Sequence, residues 1–532
     1  MKLTYIKQAG EPKGDGGDQY TGLDRFGRVV DQRWPQGSSE LERVDYGFTA
    51  ASNRQWRQNL VAAGGQDEYY NYDGLYQVAE LNRGTLNSGK TAISGTPSWT
   101  EDFTYDPIGN WDAYLTKVSG VTDLDQTRTH NTANQTTEID ESTDNVAHDL
   151  AGNMVKTPQV NDWESTFDLK WDAWNRLVEV ADGETVVAEY RYDGITRRIR
   201  KETDDTRHYY YSDRWQILEE RLDSETTADR QFIWGQRYVD DLVLRDRDVD
   251  NDGSMDERLY VLSDYFNPTA IADEDGVVVE RYGYNAFGLS RVMDADFEPR
   301  SASDFDWETR YGAYRWDGET GFYQVRFRYL HPTLGRWPNR DPIEELGGNS
   351  LYNFVRNSPV NQVDVFGLLV TGAFDINTGN LVVTDVDTGE TIVLCGESGG
   401  KPYGDPLPTG QYELLDHPDA DKFRLDAVDS TPRNDIHEPT GRDEFRLHKP
   451  GNTIGCIAAK LECRDCWDKV RDMIRKTKTE NVLVKSKRRR PLPPIQETIK
   501  KFGDFTVLDS SKGARPDEKF KKCECNCKTG KK

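Results

Sequence analysis

The chain has 532 residues, of which 93 are Asp or Glu and 68 are Lys or Arg, giving a net charge of −25 at pH 7. That length exceeds one ordinary hydrophobic core, so we expect two or more domains. The sequence contains no apolar run of the roughly 18 residues that a membrane-spanning helix needs, and its acidic part should repel nucleic acid and anionic membrane surfaces.

The composition changes sharply near residue 368. Residues 1–368 hold 39 Lys and Arg against 66 Asp and Glu, a net charge of −27, whereas residues 369–532 hold 29 against 27. All seven cysteines lie at or after Cys395, and Trp467 is the only one of the 13 tryptophans in the later part. Such a shift indicates a boundary between folding units. The N-terminal sequence lacks the apolar core of a signal peptide, so we expect export by a dedicated apparatus or a piece of a longer polypeptide, and we favour the second.

A degenerate repeat runs through the first part. Each unit has an aromatic residue or Leu, then Asp, then a short turn with Gly or Asn-Arg, then apolar alternation. The aspartates of these units are Asp24, Asp73, Asp106, Asp149, Asp172 and Asp193. Asp and Gly suit turns, and Tyr, Trp and Val suit strands, so each unit predicts a β-hairpin. One hairpin is barely stable, but a series of hairpins forms a continuous sheet.

These units resemble the YD repeats of RHS-repeat proteins. The segments Tyr314–Leu330 and Gly335–Pro342 are similar to the RHS-associated core signature that ends such repeats. The resemblance implies a hollow β-cocoon that encloses a C-terminal toxin. It also implies three parts: a YD-repeat β-shell over residues 1–313, the core and self-cleavage junction over 314–368, and a toxin domain over 369–532.

An acidic loop between two strand-like runs resembles a calcium-binding loop. Its acidic and turn residues are Asp248, Asp250, Asp252, Gly253 and Asp256. Carboxylates at alternate positions with a glycine at the turn are the ligand pattern of an EF-hand. The loop is incomplete, because Leu259 stands where an EF-hand has its bidentate glutamate. Two interpretations stay open, a solvated acidic hairpin tip and a site for a bound Ca²⁺.

Two aspartates bracket the segment that follows the core signature. In the RHS family this region resembles a self-cleaving element of the aspartyl-protease type. The resemblance implies Asp341 and Asp364 as the pair and scission directly after Leu368. Two carboxylates that share a proton supply both the base and the acid for amide hydrolysis. Glu344 stands where the family has glycine and Val365 where it has proline, so a purely structural plug is the alternative.

The C-terminal part carries a histidine–cysteine pattern. His448 lies eight residues before Cys456, and Gly455 directly precedes the cysteine. A thiol attacks well only as a thiolate, and a nearby imidazole is the usual means of ionising it at neutral pH. A glycine at this place lets a substrate backbone come close. His437, which lies 19 residues before Cys456, is the alternative base.

The turn Pro406–Tyr412, the segment Phe445–His448 and the segment Thr453–Ile457 together look like an L,D-transpeptidase-like domain of the type VI-secreted effector kind. The resemblance spans roughly residues 372–508. It implies Cys456 as nucleophile and His448 as base, with Thr453 and Gly455 shaping the turn that presents the thiol. The implied reaction is attack on an amide bond of a peptidoglycan stem peptide through a thioacyl intermediate, followed by cleavage or exchange. The alternative for Cys456 is a buried structural cysteine.

The six other cysteines leave three interpretations open. Removing the proposed nucleophile leaves an even number, which suits three disulfides in an oxidising periplasm. A zinc site is less favoured, because two of the cysteines one residue apart are awkward ligands for a single tetrahedral ion. Free thiols are the third interpretation. We therefore expect no required cofactor, with Ca²⁺ at the 248–256 loop as a candidate ion and Zn²⁺ disfavoured.

The sequence as a whole predicts a mainly β protein, with a YD-repeat β-cocoon followed by a small mixed β/α toxin domain. The expected partners are peptidoglycan stem peptides, an immunity protein and a component of a secretion apparatus, without nucleic acid. We expect secretion by a dedicated apparatus and action in the target-cell periplasm. Two alternatives are a surface adhesion protein with a non-catalytic end domain and a nuclease toxin. The basic run Lys485–Arg490 suggests the nuclease, although a solvated linker also explains it.

Overall fold

The computed structural model describes residues 22, 24 and 28–364 except positions 213, 236–238, 266 and 343–349. Beyond residue 371 it describes the strands given below and four helical positions. The chain divides into two compact units, Met1–Leu368 and Leu369–Lys532, named here the N-terminal and the C-terminal unit. Strands dominate the described residues, so the predicted mainly β class is confirmed. Within those residues, no helix has the length and hydropathy needed to cross a membrane.

The N-terminal unit consists of antiparallel meanders, and within each of its sheets every strand pairs with the next along the chain. The first sheet comprises β1 (Asp31–Gln36), β2 (Ser39–Phe48), β3 (Arg54–Asn59), β4 (Asp67–Tyr72), β5 (Val78–Gly84), β6 (Trp99–Tyr105), β7 (Trp111–Val118), β8 (Val121–His130) and β9 (Thr136–Ile139). The second comprises β10 (Ala147–His148), β11 (Met154–Gln159), β12 (Asp162–Trp171), β13 (Leu177–Asp182), β14 (Thr185–Tyr192), β15 (Arg198–Glu202), β16 (Thr206–Tyr211), β17 (Ile217–Leu222), β18 (Arg230–Trp234), β19 (Leu242–Arg247), β20 (Glu257–Asp264), β21 (Asn267–Ala272), β22 (Val278–Tyr284), β23 (Ser290–Asp294) and β24 (Pro299–Arg300). A small sheet of β25 (Arg315–Asp317), β26 (Phe322–Val325) and β27 (Arg328–Leu330) follows, and 3-10 turns occupy Tyr311–Ala313 and Val355–Asn357.

The repeated aspartates form the turns that join the hairpins. The Asp172 carboxylate accepts hydrogen bonds from the N–H groups of Trp174 and Arg176 at 2.9 and 3.0 Å, and from the Arg176 guanidinium at 2.7 Å. Asp193 and Arg197 repeat the same contacts one hairpin later, at 2.9 and 2.7 Å. These bonds span only two to four residues, so each turn is specified locally.

Where Tyr or Trp precedes a turn aspartate, its side chain binds an earlier strand. The hydroxyl of Tyr192 donates to the carbonyl of Leu177 at 2.6 Å, and the Trp171 indole donates to the carbonyl of Met154 at 2.6 Å. Tyr105 makes the equivalent bond to Val78. The ring fills the space between strands while its polar tip satisfies a main-chain carbonyl, which explains the aromatic–Asp pairing of the repeat.

Residues after Asp306 pack into the repeat sheet through buried charges. Asp317 accepts two hydrogen bonds from the Arg198 guanidinium at 2.5 and 2.8 Å, and the Lys201 ammonium lies 3.4 Å away. Arg230 contacts Glu308 at 3.0 Å. All of these groups lie inside the unit, where a charge is tolerated only when paired. We call residues 306–341 the core segment. The ion pairs therefore hold the core segment against the sheet of repeats.

The C-terminal unit is built on one mixed sheet. Its strands are β28 (Gly372–Asp375), β29 (Asn380–Thr384), β30 (Thr391–Ser398), β31 (Gly410–Leu415), β32 (Lys422–Ala427), β35 (Arg446–His448), β36 (Ile457–Ala459), β37 (Glu480–Ser486) and β38 (Ile495–Leu508), with a separate pair β33 (Ile436–His437) and β34 (Arg442–Asp443). The sheet order is β28-β29-β30-β36-β35-β32-β31-β38-β37, and a parallel β28–β38 pairing closes it. Trp467, Val470 and Ile474 are helical and buried, as their spacing predicts.

We expect Asp317→Asn to destabilise the N-terminal unit by about 3–5 kcal/mol, because Arg198 and Lys201 then stay buried without their carboxylate. The matched control is Glu179→Gln, which removes a pair with Lys170, a side chain that is 68% exposed, and should cost below about 1 kcal/mol. Denaturant unfolding followed by tryptophan fluorescence measures both variants, since all but one of the tryptophans precede residue 369. Equal losses in the two variants would contradict the assignment of Asp317 as a buried anchor.

Candidate functional site

The two aspartates of the predicted self-cleavage pair meet at one guanidinium. Arg328 Nη2 lies 2.9 Å from Asp341 Oδ2 and 3.3 Å from Asp364 Oδ2. All three side chains are buried, with exposed fractions of 1%, 5% and 2%. The Trp337 ring stacks on the guanidinium, 4.2 Å from its carbon to the ring centroid. The structure thus brings together side chains from three separate segments of the chain.

The main chain at Asp364 is held as firmly as its side chain. The Tyr314 hydroxyl accepts a hydrogen bond from the Asp364 N–H at 2.8 Å and donates one to the Asp364 carbonyl at 2.9 Å. Tyr314 follows the 3-10 turn that ends at Ala313, and its ring is buried among Tyr311, Tyr323 and Phe354. The position of residue 364 is therefore set by the core segment.

The segment that carries Asp341 is held by main-chain hydrogen bonds and by close packing on Trp111. The Asp341 N–H donates to the Leu351 carbonyl at 2.9 Å, and the Trp337 N–H donates to the Tyr352 carbonyl at 2.9 Å. Gly335 has φ +66°, and an added Cβ would lie 2.0 Å from the Trp111 ring. Only glycine fits this close approach, so Gly335 is required for the segment to follow this path.

Several basic side chains around this segment are buried. Burial lowers the pKa of Arg336 to about 10 and the pKa of His331 to about 4. The Arg336 guanidinium donates to the Asn134 carbonyl at 2.5 Å and makes no ion pair among the residues that the structure describes. His331 lies between the carbonyl of Pro158 at 2.9 Å and the N–H of Leu334 at 3.2 Å. The neutral imidazole is thus the form that the fold accommodates.

The other predicted catalytic residues are only partly described. Leu368 lies outside the described residues, as do Thr453, Gly455 and Cys456. His448 ends β35, where its main chain is paired with Ala458 of the parallel β36, and His437 lies in β33 opposite Arg442. The roles assigned to these residues stay predictions.

The acidic loop brings three of its four predicted ligands together. Carboxylate oxygens of Asp248, Asp250 and Asp256 lie within 4.8 Å of one another. Asp252 is not part of this group, and its carboxylate accepts the Ser254 N–H at 2.8 Å. Leu259, the position of the missing glutamate, is buried in β20. Hydrogen bonds within the loop explain the arrangement as well as an ion does, so Ca²⁺ binding stays a prediction.

Arg328, Tyr314 and Trp337 were not predicted as site residues. All three lie within the core signature, but nothing in their local spacing ties them to Asp341 or Asp364. One signal was available: two carboxylates expected close together in a protein interior are stabilised either by a shared proton or by a cation beside them. The sequence offers many arginines in this region, and only the tertiary structure selects Arg328.

Comparison with known proteins finds relatives among nucleases and toxins. No family model matches the sequence. The chain is 28% identical over 274 residues to the tRNA nuclease WapA of Bacillus subtilis, covering 50% of this chain and 11% of that protein. It is 26% identical over 372 residues to toxin subunit YenC2 of Yersinia entomophaga, covering 62% and 36%. It is 23% identical over 462 residues to double-stranded DNA deaminase toxin A of Burkholderia cenocepacia, covering 75% and 28%.

A solved structure has the same fold. The Photorhabdus luminescens Tc holotoxin pore matches with a TM-score of 0.51 at 20% identity, covering 69% of this chain and 18% of that chain. The homologues of this chain are RHS-type and Tc-type toxins. The chain spans 11% to 36% of the length of the three relatives. The N-terminal unit holds 368 of the 532 residues, or 69%, so the match to the deaminase toxin, at 75% of the chain, extends past Leu368.

Two of our expectations are wrong. We expected an L,D-transpeptidase or L,D-carboxypeptidase-like cysteine enzyme, and we expected no nucleic acid among the partners. The relatives are named as a tRNA nuclease and a double-stranded DNA deaminase toxin, both of which act on nucleic acid. The first prediction depended on the Thr-x-Gly-Cys-Ile motif and on a histidine eight residues before its cysteine. Such a short pattern is not by itself specific to one chemistry. The nuclease alternative agrees better with the relatives.

We expect the stability of the N-terminal unit to depend on pH through His331. Its folded-state pKa lies below the ordinary value of 6.5, so the unfolded chain binds the proton more readily, and stability falls as the pH drops from about 6.5 to 4. His331→Gln removes this term while keeping an amide donor. The difference in unfolding free energy between wild type and variant should therefore shrink by about 3 kcal/mol between pH 7 and pH 4. A difference that stays constant over that range contradicts the prediction.

Proposed function

We propose that this chain is part of a polymorphic toxin whose C-terminal unit is an effector acting on nucleic acid. One observation carries the proposal: the match to the double-stranded DNA deaminase toxin continues beyond the N-terminal unit. The tRNA nuclease among the relatives supports the same class of target. The N-terminal unit then serves as the β-shell, and the C-terminal unit as the enzyme that the shell carries.

The distribution of charge supports a nucleic-acid target. Residues 369–450 hold 7 Lys and Arg against 16 Asp and Glu, whereas residues 451–532 hold 22 against 11. The second half of the effector therefore has a net charge of +11, which attracts a phosphate backbone. The net charge of −25 for the whole chain hides this basic half.

Seven of these 22 basic residues lie in the segment from Glu480 to Lys501. Strands β37 and β38 are antiparallel, and their register runs from Glu480 opposite Lys501 to Ser486 opposite Ile495. The sequence between the strands contains Lys487 and the three arginines at 488–490. A two-stranded β-ribbon fits the major groove of duplex DNA, and arginines position it on phosphates or guanines. We assign this hairpin as the nucleic-acid contact of the effector.

We further propose that the shell releases the effector by cutting its own chain after Leu368. Asp341 and Asp364 lie close enough to act as one acid–base pair, since both contact Arg328. The cut starts when one of the two carboxyls holds a proton. The ionised carboxylate takes a proton from water, whose oxygen adds to the Leu368 carbonyl carbon. The protonated carboxyl gives its proton to the leaving nitrogen of Leu369 as the C–N bond breaks, so one water is consumed.

This function changes the expected place of action. Two of the relatives are named as toxins, and nucleic acid lies inside a target cell rather than in its periplasm. We therefore propose delivery into the cell interior, with an immunity protein in the producing cell and a secretion component as partners. Release also separates a unit of net charge −27 from one of about +2, which frees the effector from an acidic shell that repels its target.

We expect Asp341→Asn and Asp364→Asn each to abolish cleavage of the full chain, because either change removes one partner of the acid–base pair. Gel electrophoresis and intact mass measurement should give two fragments from wild type, with the smaller one beginning at Leu369, and one uncut chain from each variant. Asp252→Asn, in the distant acidic loop, is the control and should cut like wild type. A cut that persists in both aspartate variants would remove the pair from the mechanism.

We expect the released effector to modify nucleic acid. The full chain, allowed to cleave, is incubated separately with tRNA and duplex DNA, and the products are examined by gel and by mass spectrometry for strand breaks or deaminated bases. Replacing Arg488, Arg489 and Arg490 with alanine should weaken binding and lower the slope of log affinity against log salt by up to about 3. The matched control replaces Lys519, Lys521 and Lys522. Unchanged nucleic acid in every reaction, or equal losses in the two triple variants, contradicts the proposal.

A further inference from the structure

We propose that the N-terminal unit binds a tetrahedral oxyanion, phosphate or sulfate, in a cavity where its first and second sheets meet. The cavity has a volume of about 50 Å³, and strands β2 to β5 and β20 to β23 supply most of its lining residues. A water molecule needs about 10–15 Å³ of such space, so the cavity has room for about four oxygen-sized groups. A phosphate or sulfate ion has four oxygens.

Two buried ion pairs bring the sheets together beside the cavity. Arg57 of β3 donates from Nε to the Asp264 carboxylate at the end of β20, at 2.6 Å. Arg281 of β22 donates to the Glu42 carboxylate of β2, also at 2.6 Å. These contacts join residues more than 200 positions apart, so the cavity exists only where the two sheets close on one another.

Two arginines that line the cavity lack a carboxylate partner. Arg54 is 9% exposed, its guanidinium carbon lies 4.7 and 5.1 Å from the ring centres of Tyr46 and Tyr265, and its Nε has no hydrogen-bond acceptor. Arg291 contacts the amide oxygen of Gln66 at 3.4 Å, and its buried Nε also lacks an acceptor. Neither arginine forms an ion pair with a residue of described position. Since a buried cation is costly without an anion, the cavity favours an anionic ligand.

The carboxylates beside the cavity pair with other arginines and leave these two charges unbalanced. The pairs are Glu42 with Arg281 at 2.6 Å, Glu68 with Arg83 at 3.7 Å and Asp264 with Arg57 at 2.6 Å. Asp264 keeps a second buried oxygen, Oδ1, without a hydrogen-bond partner. Burial and the Glu42 carboxylate raise the pKa of Asp264, so this oxygen can hold a proton and donate it to an oxyanion. Three donor side chains thus line one cavity.

The surroundings of Arg291 fit this interpretation. Burial and the guanidinium groups of Arg83 and Arg57 lower the pKa of Arg291 to about 9, which shows that positive charge is crowded here. Gly283 lies opposite Arg291 in the β22–β23 register, and a Cβ at Gly283 would lie 2.3 Å from Arg291 Nη2. The glycine therefore leaves the space that the guanidinium occupies. A guanidinium is the side-chain group whose planar set of N–H donors matches the oxygens of phosphate.

The bound ion joins the two sheets. Arg54 belongs to β3 of the first sheet and Arg291 to β23 of the second, so an anion that contacts both guanidinium groups crosses the boundary between the sheets. In the absence of the ion the two cations repel one another across this boundary. A ligand that binds only the closed unit stabilises it by mass action, so the stability of the N-terminal unit depends on the oxyanion concentration.

The test compares the full wild-type chain with Arg54→Gln, Arg291→Gln and Gly283→Ala. The glycine variant keeps every charge but displaces the Arg291 guanidinium, so it tests the site even if the loss of an arginine impairs folding. The matched control is Arg128→Gln, which removes a buried arginine that donates to the Leu334 carbonyl at 2.9 Å and does not line the cavity. Melting temperatures are measured in sodium phosphate, sulfate and chloride at equal pH and ionic strength. Isothermal titration with inorganic phosphate gives the dissociation constant of each variant.

We expect phosphate and sulfate to raise the melting temperature of the wild type by several degrees over chloride. Each of the three cavity variants should weaken phosphate binding by about 10-fold to 100-fold, because a charged hydrogen bond is lost or displaced. In chloride, Arg54→Gln and Arg291→Gln should melt no lower than the wild type, since each removes an unneutralised buried charge. Arg128→Gln should lower the melting temperature by the same amount in all three salts. Crystals grown with selenate should show one anomalous selenium peak in the cavity.

Three results overturn the proposal. The first is an equal gain from phosphate in the wild type, the cavity variants and the control, which reduces the effect to the general exclusion of these anions from protein surfaces. The second is a cavity that contains only water in the selenate crystals. The third is a loss of stability in Arg54→Gln and Arg291→Gln that is as large in chloride as in phosphate, because the arginines then have a purely structural role.

Discussion

The pairing of buried carboxylates with buried cations is the interaction on which the N-terminal unit depends. Residues 306–341 pack against sheets of repeats that are rich in charged side chains. Their buried anions and cations pair with opposite charges of those sheets. Asp317 with Arg198 and Glu308 with Arg230 anchor the start of this segment. Arg328 with Asp341 and Asp364 anchors its end. Since an unpaired buried charge is strongly destabilising, each anchor admits only one placement of the chain.

The repeat supplies the frame against which these anchors act. Its turns close through bonds within four residues, so they leave main-chain carbonyls available for other contacts. The Gly109 carbonyl accepts a hydrogen bond from Asn357 at 2.7 Å, and the Gly152 carbonyl accepts one from Tyr352 at 2.8 Å. The turn that specifies each hairpin therefore also docks the segment that leads to the aspartate site. Local and long-range order are consistent with one another, which is typical of a cooperative fold.

The division of charge between the two units connects structure with the proposed function. The shell is strongly acidic and the second half of the effector is strongly basic. In the proposed function, the acidic unit does not take up nucleic acid itself, and the effector works once the two units have separated. The proposed cut at the aspartate site would give this separation an order, with folding of the N-terminal unit first and release second.

The sequence alone determined the hairpins, the boundary near residue 368 and the pair Asp341 and Asp364, because these depend on local turn chemistry, bulk composition and a specific signature. It could not identify Arg328 or Tyr314, since their contacts with residue 364 cross 36 and 50 positions and any buried arginine or tyrosine nearby has the same local pattern. The predicted enzyme class, an L,D-transpeptidase-like enzyme, is wrong because one short motif outweighed the basic half of the domain. Only the tertiary structure decided that Arg328 contacts both carboxylates. A buried charge is stable only beside an opposite charge, and the fold determines which side chains come together.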